Sequence, residues 1–344
     1  MRAIVVGPLA DYSTYDVAVG WVDGLRAQGV NTMHFDLGRR LLWYLSAKIR
    51  NADGEIASEM ELDQAREAVT LALLAEVYRH DPDLVLVIHG AHVHPPLIAD
   101  IRCPVVWVAT ESPYEDEAQA YTIAMADVDA ILLNDPTNQG VFEQIAPTFY
   151  VPHAYRPEVH RPDGPRQRHS DVCFIGTGYP ERIATLEAVD WTGIDLALGG
   201  MWNEATDPQL TGALVADWCI DNSETVEWYR ATEIGLNLYR QMTYGEHSTA
   251  DGWAIGPREV ELAACGVFTL RQHRPESDEL FPFLPAFTTA EELEWLIREW
   301  LPRSDERKQL GRCAAEAVAD RTFPNNAGRL LKRLFGPNPT RRNS

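Results

Sequence analysis

Two stretches of this chain carry side chains whose types and spacing suit an anionic ligand. In the first, Gly256-Pro257-Arg258-Glu259-Val260-Glu261, a Gly-Pro turn brings a guanidinium and two carboxylates to the start of a small-residue helix that Gly266 stops. Backbone N–H groups and the helix dipole favour anions at such an end. That chemistry fits the phosphate and ribose of a nucleotide-sugar. It equally describes an ordinary α/β helix whose early glutamates suit its dipole. In the second stretch, Gly176-Thr177-Gly178-Tyr179-Pro180-Glu181-Arg182 runs from a strand into a helix. Glycines there let main-chain N–H groups approach a phosphate, and Arg182 in the first helical turn adds a bidentate donor. Gly199-Gly200 repeats the close-approach signal after the next strand.

The elements that must position these residues follow an α/β alternation. Apolar runs at residues 3–6, 31–35, 84–88, 105–109, 130–133 and 149–151 read as strands, separated by loops and helical periodicity. This repeat implies right-handed crossovers and a parallel sheet covered on both faces. Ligands of such sheets sit beyond the carboxyl ends of the strands, which places His89, Glu111 and Asp135 where chemistry can occur. Plainer roles stand beside this one: a loop hydrogen bond for His89, and helix capping for Glu111 and for Asp135 before Pro136. A second α/β series begins at residues 171–175 and continues through 194–198, 234–238 and 267–270, closed by helices over 287–301, 306–319 and 325–335.

A length of 344 residues suits two domains rather than one core. Pro152, Pro157, Pro162, Gly164 and Pro165, interleaved with Arg156, Arg161, Arg166 and Arg168, have the composition of a linker. The expected organisation is an N-terminal domain over 1–155, a linker over 156–169, a C-terminal domain over 170–335 and a tail over 336–344. The formal charge is −21, and residues 1–155 hold 9 Lys+Arg against 22 Asp+Glu. Such an average disfavours duplex nucleic acid as a partner. Five widely spaced cysteines without a C-x-x-C pair point away from zinc and disulfide frameworks. The chain opens directly on a strand-like run, and no apolar stretch approaches the ~20 residues that span a bilayer, so a cytoplasmic location is expected.

The blocks Asp171-Val-Cys-Phe-Ile-Gly-Thr-Gly-Tyr-Pro-Glu-Arg182, Ile234-Gly-Leu-Asn-Leu-Tyr-Arg240, Pro257-Arg-Glu-Val-Glu-Leu-Ala-Ala-Cys-Gly266 and Glu291-Glu-Leu293 resemble the CgeB-type (spore maturation protein) glycosyltransferases. Residues 107–113, Asn134-Asp135 and 150–154 resemble the N-terminal half of that family more loosely. The resemblance implies a GT-B architecture, two Rossmann-like domains facing across a cleft. The C-terminal domain would then hold a nucleotide-sugar and the N-terminal one an acceptor, whether small molecule, polysaccharide, protein or modified nucleotide. Glu261 matches the glutamate that holds the donor ribose in related retaining enzymes. The glutamate that such enzymes often place two turns earlier is replaced here by Asp251-Gly252-Trp253, which leaves retention or inversion open.

On this reading Arg182 and Arg258 neutralise the leaving diphosphate without a metal ion, and the donor is a substrate, with no cofactor. Gly176, Thr177, Gly178 and Gly200 let the main chain approach the donor. Glu259 and Glu261 complete the donor site, and Asn237 and Tyr239 line it. The expected catalytic residues are Arg258 and, should the reaction invert, His89 or Glu111 as the base. Two other readings fit the same residues: a non-catalytic nucleotide- or sugar-binding accessory protein, and a phage-type DNA-modifying glycosyltransferase, against which the acidic charge speaks.

Overall fold

Apolar runs without polar alternation form strands that are covered on both faces. The computed structural model, which describes residues 1–9, 14–50, 52–164, 169–243, 246–247 and 251–336, shows two units built this way. Pro165, Arg166, Arg168 and the tail from residue 337 lie outside the described residues. One unit comprises Met1–Pro152 with the stretch from Phe323 onward, and the other comprises His153–Thr322.

The first unit has six parallel strands, β1 (Arg2–Gly7), β2 (Asn31–Asp36), β3 (Leu84–Ile88), β4 (Val105–Ala109), β5 (Ala130–Leu133) and β6 (Thr148–Tyr150). Their order is β2-β1-β3-β4-β5-β6. Every residue of β3, β4 and β5 is buried. Sheet order reverses between β1 and β3, so the loop that follows β3 and carries His89 stands at the crevice of this sheet.

The second unit repeats the plan with β7 (Ser170–Ile175), β8 (Leu196–Gly199), β9 (Leu214–Ala216), β10 (Thr232–Asn237), β11 (Thr269–Gln272) and β12 (Ala286–Phe287). Their order is β9-β8-β7-β10-β11-β12, again parallel throughout. The reversal falls between β7 and β10 in a Rossmann arrangement. Helix α1 (Thr14–Ala27) covers the first sheet, and α2 (Pro180–Glu187), α3 (Asn222–Ala231), α4 (Pro257–Ala264) and α5 (Ser304–Ala317) belong to the second unit. Helix α4 closes on Gly266, at φ +70°, with Gly266 N–H donating to Ala263 O and Val267 N–H to Leu262 O. This closure takes up Val267 and Phe268, so β11 starts at Thr269, two residues later than the apolar run suggests.

The final helix, α6 (Phe323–Phe335), lies with the first unit, whereas the sequence expectation kept residues 170–335 together. The reason is on α1, where a Cβ at Gly20 would come within 2.3 Å of the Phe323 ring and one at Gly24 within 2.5 Å of Phe323 O. The two glycines, one helical turn apart, form a notch that seats Phe323, with Trp21 meeting its ring edge-on at 6.2 Å. Amphipathicity announces a helix at 325–335 but does not say which core receives it. The linker expectation for 156–169 also differs at its start. Tyr155 N–H donates to Arg321 O, and Arg230 donates to Val159 O and Arg161 O at 2.8 Å each, so residues 155–161 are held on the second unit.

Among the described residues no helix is long and apolar enough to cross a membrane. The Phe323 notch has a direct consequence. A glycine-to-alanine change inside a helix ordinarily gains up to ~1 kcal/mol. Gly24→Ala is expected to reverse that sign and lower stability by about 1–3 kcal/mol through overpacking, measured as a fall in the urea midpoint. A stabilised Gly24→Ala variant would contradict the close seating of Phe323.

Candidate active site

The crevice between β7 and β10 is occupied by two guanidinium groups. Arg258 enters from the first turn of α4, whose N-cap residue Gly256 supplies no side-chain cap. Its Nε donates to Ile175 O at the end of β7 at 2.6 Å. Its Nη1 reaches Asn237 Oδ1 at 3.3 Å and Leu238 O at 3.4 Å, at the end of β10. Arg182 enters from α2 and donates to Thr177 O and to the same Leu238 O, at 2.9 Å each. Both guanidiniums stack on Phe174, at 4.3 Å for Arg258 and 5.3 Å for Arg182.

Among the described residues neither arginine has a carboxylate within ion-pair distance, and the buried Arg182 Nε has no hydrogen-bond partner. Burial, and behind it the charge on Arg258, pull the Arg182 guanidinium down to about 9. Two like charges held on carbonyl oxygens and one aromatic face, with no ion-paired carboxylate among the described residues, form a site that an anion would stabilise.

A buried hub sits under Arg258. Asn237 accepts from Arg258 through Oδ1 and donates through Nδ2 to Glu259 Oε2 at 2.9 Å. Tyr239 Oη donates to the same carboxylate oxygen and Ser277 Oγ to the other, with Arg271 Nε at 4.0 Å. Burial raises the Glu259 pKa, opposed by the hydrogen bonds from Ser277 and Tyr239 and the Arg271 charge, and burial with the Glu259 charge pushes the Tyr239 phenol well above 10. This corrects the expectation for two candidates, Asn237 and Glu259. Glu259 is 1 % exposed and Asn237 likewise, so these two orient Arg258 from within rather than line a donor surface, while the half-buried Tyr239 turns its hydroxyl inward onto Glu259. Arg271 and Ser277 had no signal in the sequence pattern, since they meet Glu259 only through the fold.

The glycines also serve the protein's own groups. Gly176 N–H donates to Gly199 O and Gly178 N–H to Met201 O, both at 2.8 Å, so neither is presented to a ligand. A Cβ at Gly176 would lie 2.1 Å from Arg258 Nη2, and one at Gly178 would lie 2.5 Å from the Trp202 ring. Gly200, at φ +114°, would meet Gly176 O at 2.5 Å. Thr177 contributes the carbonyl that holds Arg182. The close approach inferred from these residues is real, but its object is a guanidinium and an indole.

Glu261 lies two residues beyond Glu259 on another face of α4. Its Oε1 accepts from Asn222 Nδ2, the first residue of α3, at 3.2 Å. In the first unit, His89 is held at φ +63° and its Nδ1 lies 3.3 Å from Thr110 Oγ1 and 3.9 Å from Glu111 Oε1. The ends of β3 and β4 thus bring together the imidazole and the carboxylate expected there. Asp135 accepts from the N–H and hydroxyl of Thr137, which is the turn-capping role.

Residues 182–331 match the family model described as glycosyl transferase-like. Sucrose-phosphate synthase from Thermosynechococcus elongatus superposes with a TM-score of 0.65 at 14% identity, covering 97% of this chain and 99% of that one. Anabaena HepE, solved in complex with UDP, gives 0.60 at 12% identity over 97% and 99%. An α-glucosyltransferase in complex with UDP and a 13-mer DNA gives 0.60 at 12% identity over 94% and 96%. The fold is GT-B. None of the curated proteins matches the sequence. The second unit of this GT-B chain therefore carries a glycosyl transferase-like region, and Arg182, Arg258 and Glu261 all fall inside the matched residues.

Gly176→Ala separates these roles, because the atom it displaces is the side-chain end of Arg258 rather than backbone. Inorganic pyrophosphate is expected to bind this variant about 10- to 100-fold more weakly, the worth of a charge-assisted hydrogen bond, while the unfolding midpoint stays near that of the native chain. Unchanged pyrophosphate affinity would remove Arg258 from the anion site.

Proposed function

We propose that this protein transfers a glycosyl group from a nucleoside-diphosphate sugar, bound by the second unit, to an acceptor hydroxyl bound by the first, and does so without a divalent cation. The observation that carries this reading is the convergence of Arg182 and Arg258 on Leu238 O at the β7/β10 switch point with no carboxylate partner among the described residues. In the transfer the bond between the sugar C1 and the diphosphate oxygen breaks, and its electron pair leaves with the diphosphate. The two guanidiniums stabilise that developing charge from preorganised positions. The acceptor oxygen bonds to C1 and its proton departs. On an inverting course His89, with Glu111 beside it, takes that proton; on a retaining course the departing diphosphate oxygen takes it and no protein base is required there.

Glu261 accepts from the ribose hydroxyls on this reading, as its resemblance to the donor-ribose glutamate implies. The CgeB-type group is the member of the glycosyl transferase-like class that the blocks at 234–240 and 257–266 resemble. Two of the GT-B neighbours carry UDP, which makes uridine diphosphate the first nucleotide to test. One of them also carries DNA, but the −21 charge of this chain favours an acceptor other than duplex nucleic acid.

Thermal shift against UDP, GDP, CDP, TDP and ADP is expected to single out one nucleotide. At ~100 times its dissociation constant it should add roughly 2.7 kcal/mol. Arg258→Ala should abolish that shift and lower kcat/KM for turnover of the matching nucleotide-sugar by about 10²–10³-fold, with native turnover persisting in EDTA. A flat response to all five nucleotides would sink the donor reading, and loss of native turnover in EDTA would sink the metal-independent part.

The lowered Arg182 pKa sets the pH dependence. Anion binding favours the charged guanidinium and raises its pKa, so binding takes up protons from about pH 9 upward. Nucleotide affinity is expected to be flat between pH 7 and 8.5 and to fall as pH rises through 9, read by calorimetry. Affinity that rises above pH 9 would contradict the role of Arg182.

A further inference from the structure

The residue that sequence composition assigned to a linker, His160, lies under Glu261. Its side chain is fully buried, and the turn that carries it is closed by His160 N–H donating to Arg156 O at 2.8 Å. The Arg156 N–H donates in turn to His160 Nδ1 at 3.3 Å. An Nδ1 that accepts leaves the proton of the neutral ring on Nε2. That Nε2 is buried without a hydrogen-bond partner and stands 3.9 Å from Glu261 Oε1, the same oxygen to which Asn222 Nδ2 donates at 3.2 Å.

Helix α3 fixes both donors. Asn222 opens it, beside the N-cap Asp221, whose side chain accepts from Ser223 N–H at 2.8 Å. Arg230 in its last turn donates to Val159 O and Arg161 O, the carbonyls on either side of His160. One helix thus sets the position of an amide and of an imidazole against a single carboxylate oxygen. Buried donors in native proteins are satisfied by an acceptor, and Glu261 Oε1 is the acceptor this one faces.

We propose that His160 and Asn222 are positioning residues for the donor ribose: the Asn222 amide donates to one oxygen of Glu261 and the buried His160 Nε2 stands against that same oxygen at 3.9 Å, so that the carboxylate keeps a fixed orientation and accepts from the ribose hydroxyls. The proposal rests on the ribose role of Glu261 proposed above. It makes the sugar of the nucleoside, and not only its diphosphate, a determinant of donor affinity. His160 touches neither the phosphates nor the reacting atoms in this scheme.

The test compares the nucleoside diphosphate that binds the native chain best among UDP, GDP and ADP, its 2′,3′-dideoxy form, and inorganic pyrophosphate, each by calorimetry. His160→Phe, which keeps a flat buried ring, is expected to weaken the nucleoside diphosphate about tenfold and to leave pyrophosphate and the dideoxy nucleotide unchanged. His160→Gln, whose Nε2 donates from nearly the same place, should restore most of the loss. Asn222→Ala, at a half-buried helix start, should repeat the pattern independently of any folding defect at 160. Equal weakening of all three ligands, or none, overturns the proposal. Native binding of pyrophosphate with no gain from the nucleoside overturns the ribose reading beneath it, and native binding of neither overturns the donor site itself.

Discussion

Two guanidinium groups, from Arg182 and Arg258, donate to one carbonyl oxygen, Leu238 O, and share one aromatic face, Phe174. Like charges so placed repel, and burial removes the water that would screen them. The arrangement persists because other parts of the second unit hold each group separately: Ile175 O and Asn237 for Arg258, Thr177 O for Arg182. Every one of those acceptors lies at or just beyond the end of β7 or β10. The strand order that places these two ends side by side is thus the condition for the charge pair, and an anion is the group that relieves it.

Support for the pair runs inward through Asn237 to Glu259 and on to Tyr239, Ser277 and Arg271. A carboxylate sealed in this way fixes the amide, and the amide fixes the guanidinium. The glycines of the β7 and β8 loops complete the same device by leaving room for Arg258 and Trp202. Function on this view depends on rigidity: the donors that stabilise a leaving diphosphate are set before the ligand arrives, which is the property that makes electrostatic catalysis effective.

Much of this was legible in the sequence because punctuation and charge coincide. Gly-Pro before Arg258 and Gly-x-Gly before Arg182 mark strand-to-helix turns, and the apolar runs locate both sheets. What was not legible depends on direction and distance. Glu259 and Glu261 are two residues apart in a helix of 3.6 residues per turn, so their side chains point nearly opposite ways; the pattern cannot say which one turns inward. Gly176 and Gly178 signal close approach, yet the groups that approach are Arg258 and Trp202, 82 and 24 positions along the chain. The Pro-rich run around His160 has the composition of a linker, but the clamp from Arg230 and the Tyr155 N–H to Arg321 O bond keep it on the second unit. Helix α6 was readable as a helix, while its seat was decided by Gly20 and Gly24, some 300 positions earlier.

On the proposed reading the β7/β10 switch point binds a nucleoside diphosphate through Arg182 and Arg258. A crystal structure of the chain soaked with UDP, or with whichever nucleotide stabilises it, tests this most directly. Diphosphate oxygens are expected within hydrogen-bond distance of both guanidiniums, with the ribose hydroxyls on Glu261. A nucleotide bound elsewhere, with the two arginines still on Leu238 O and no anion beside them, would contradict it.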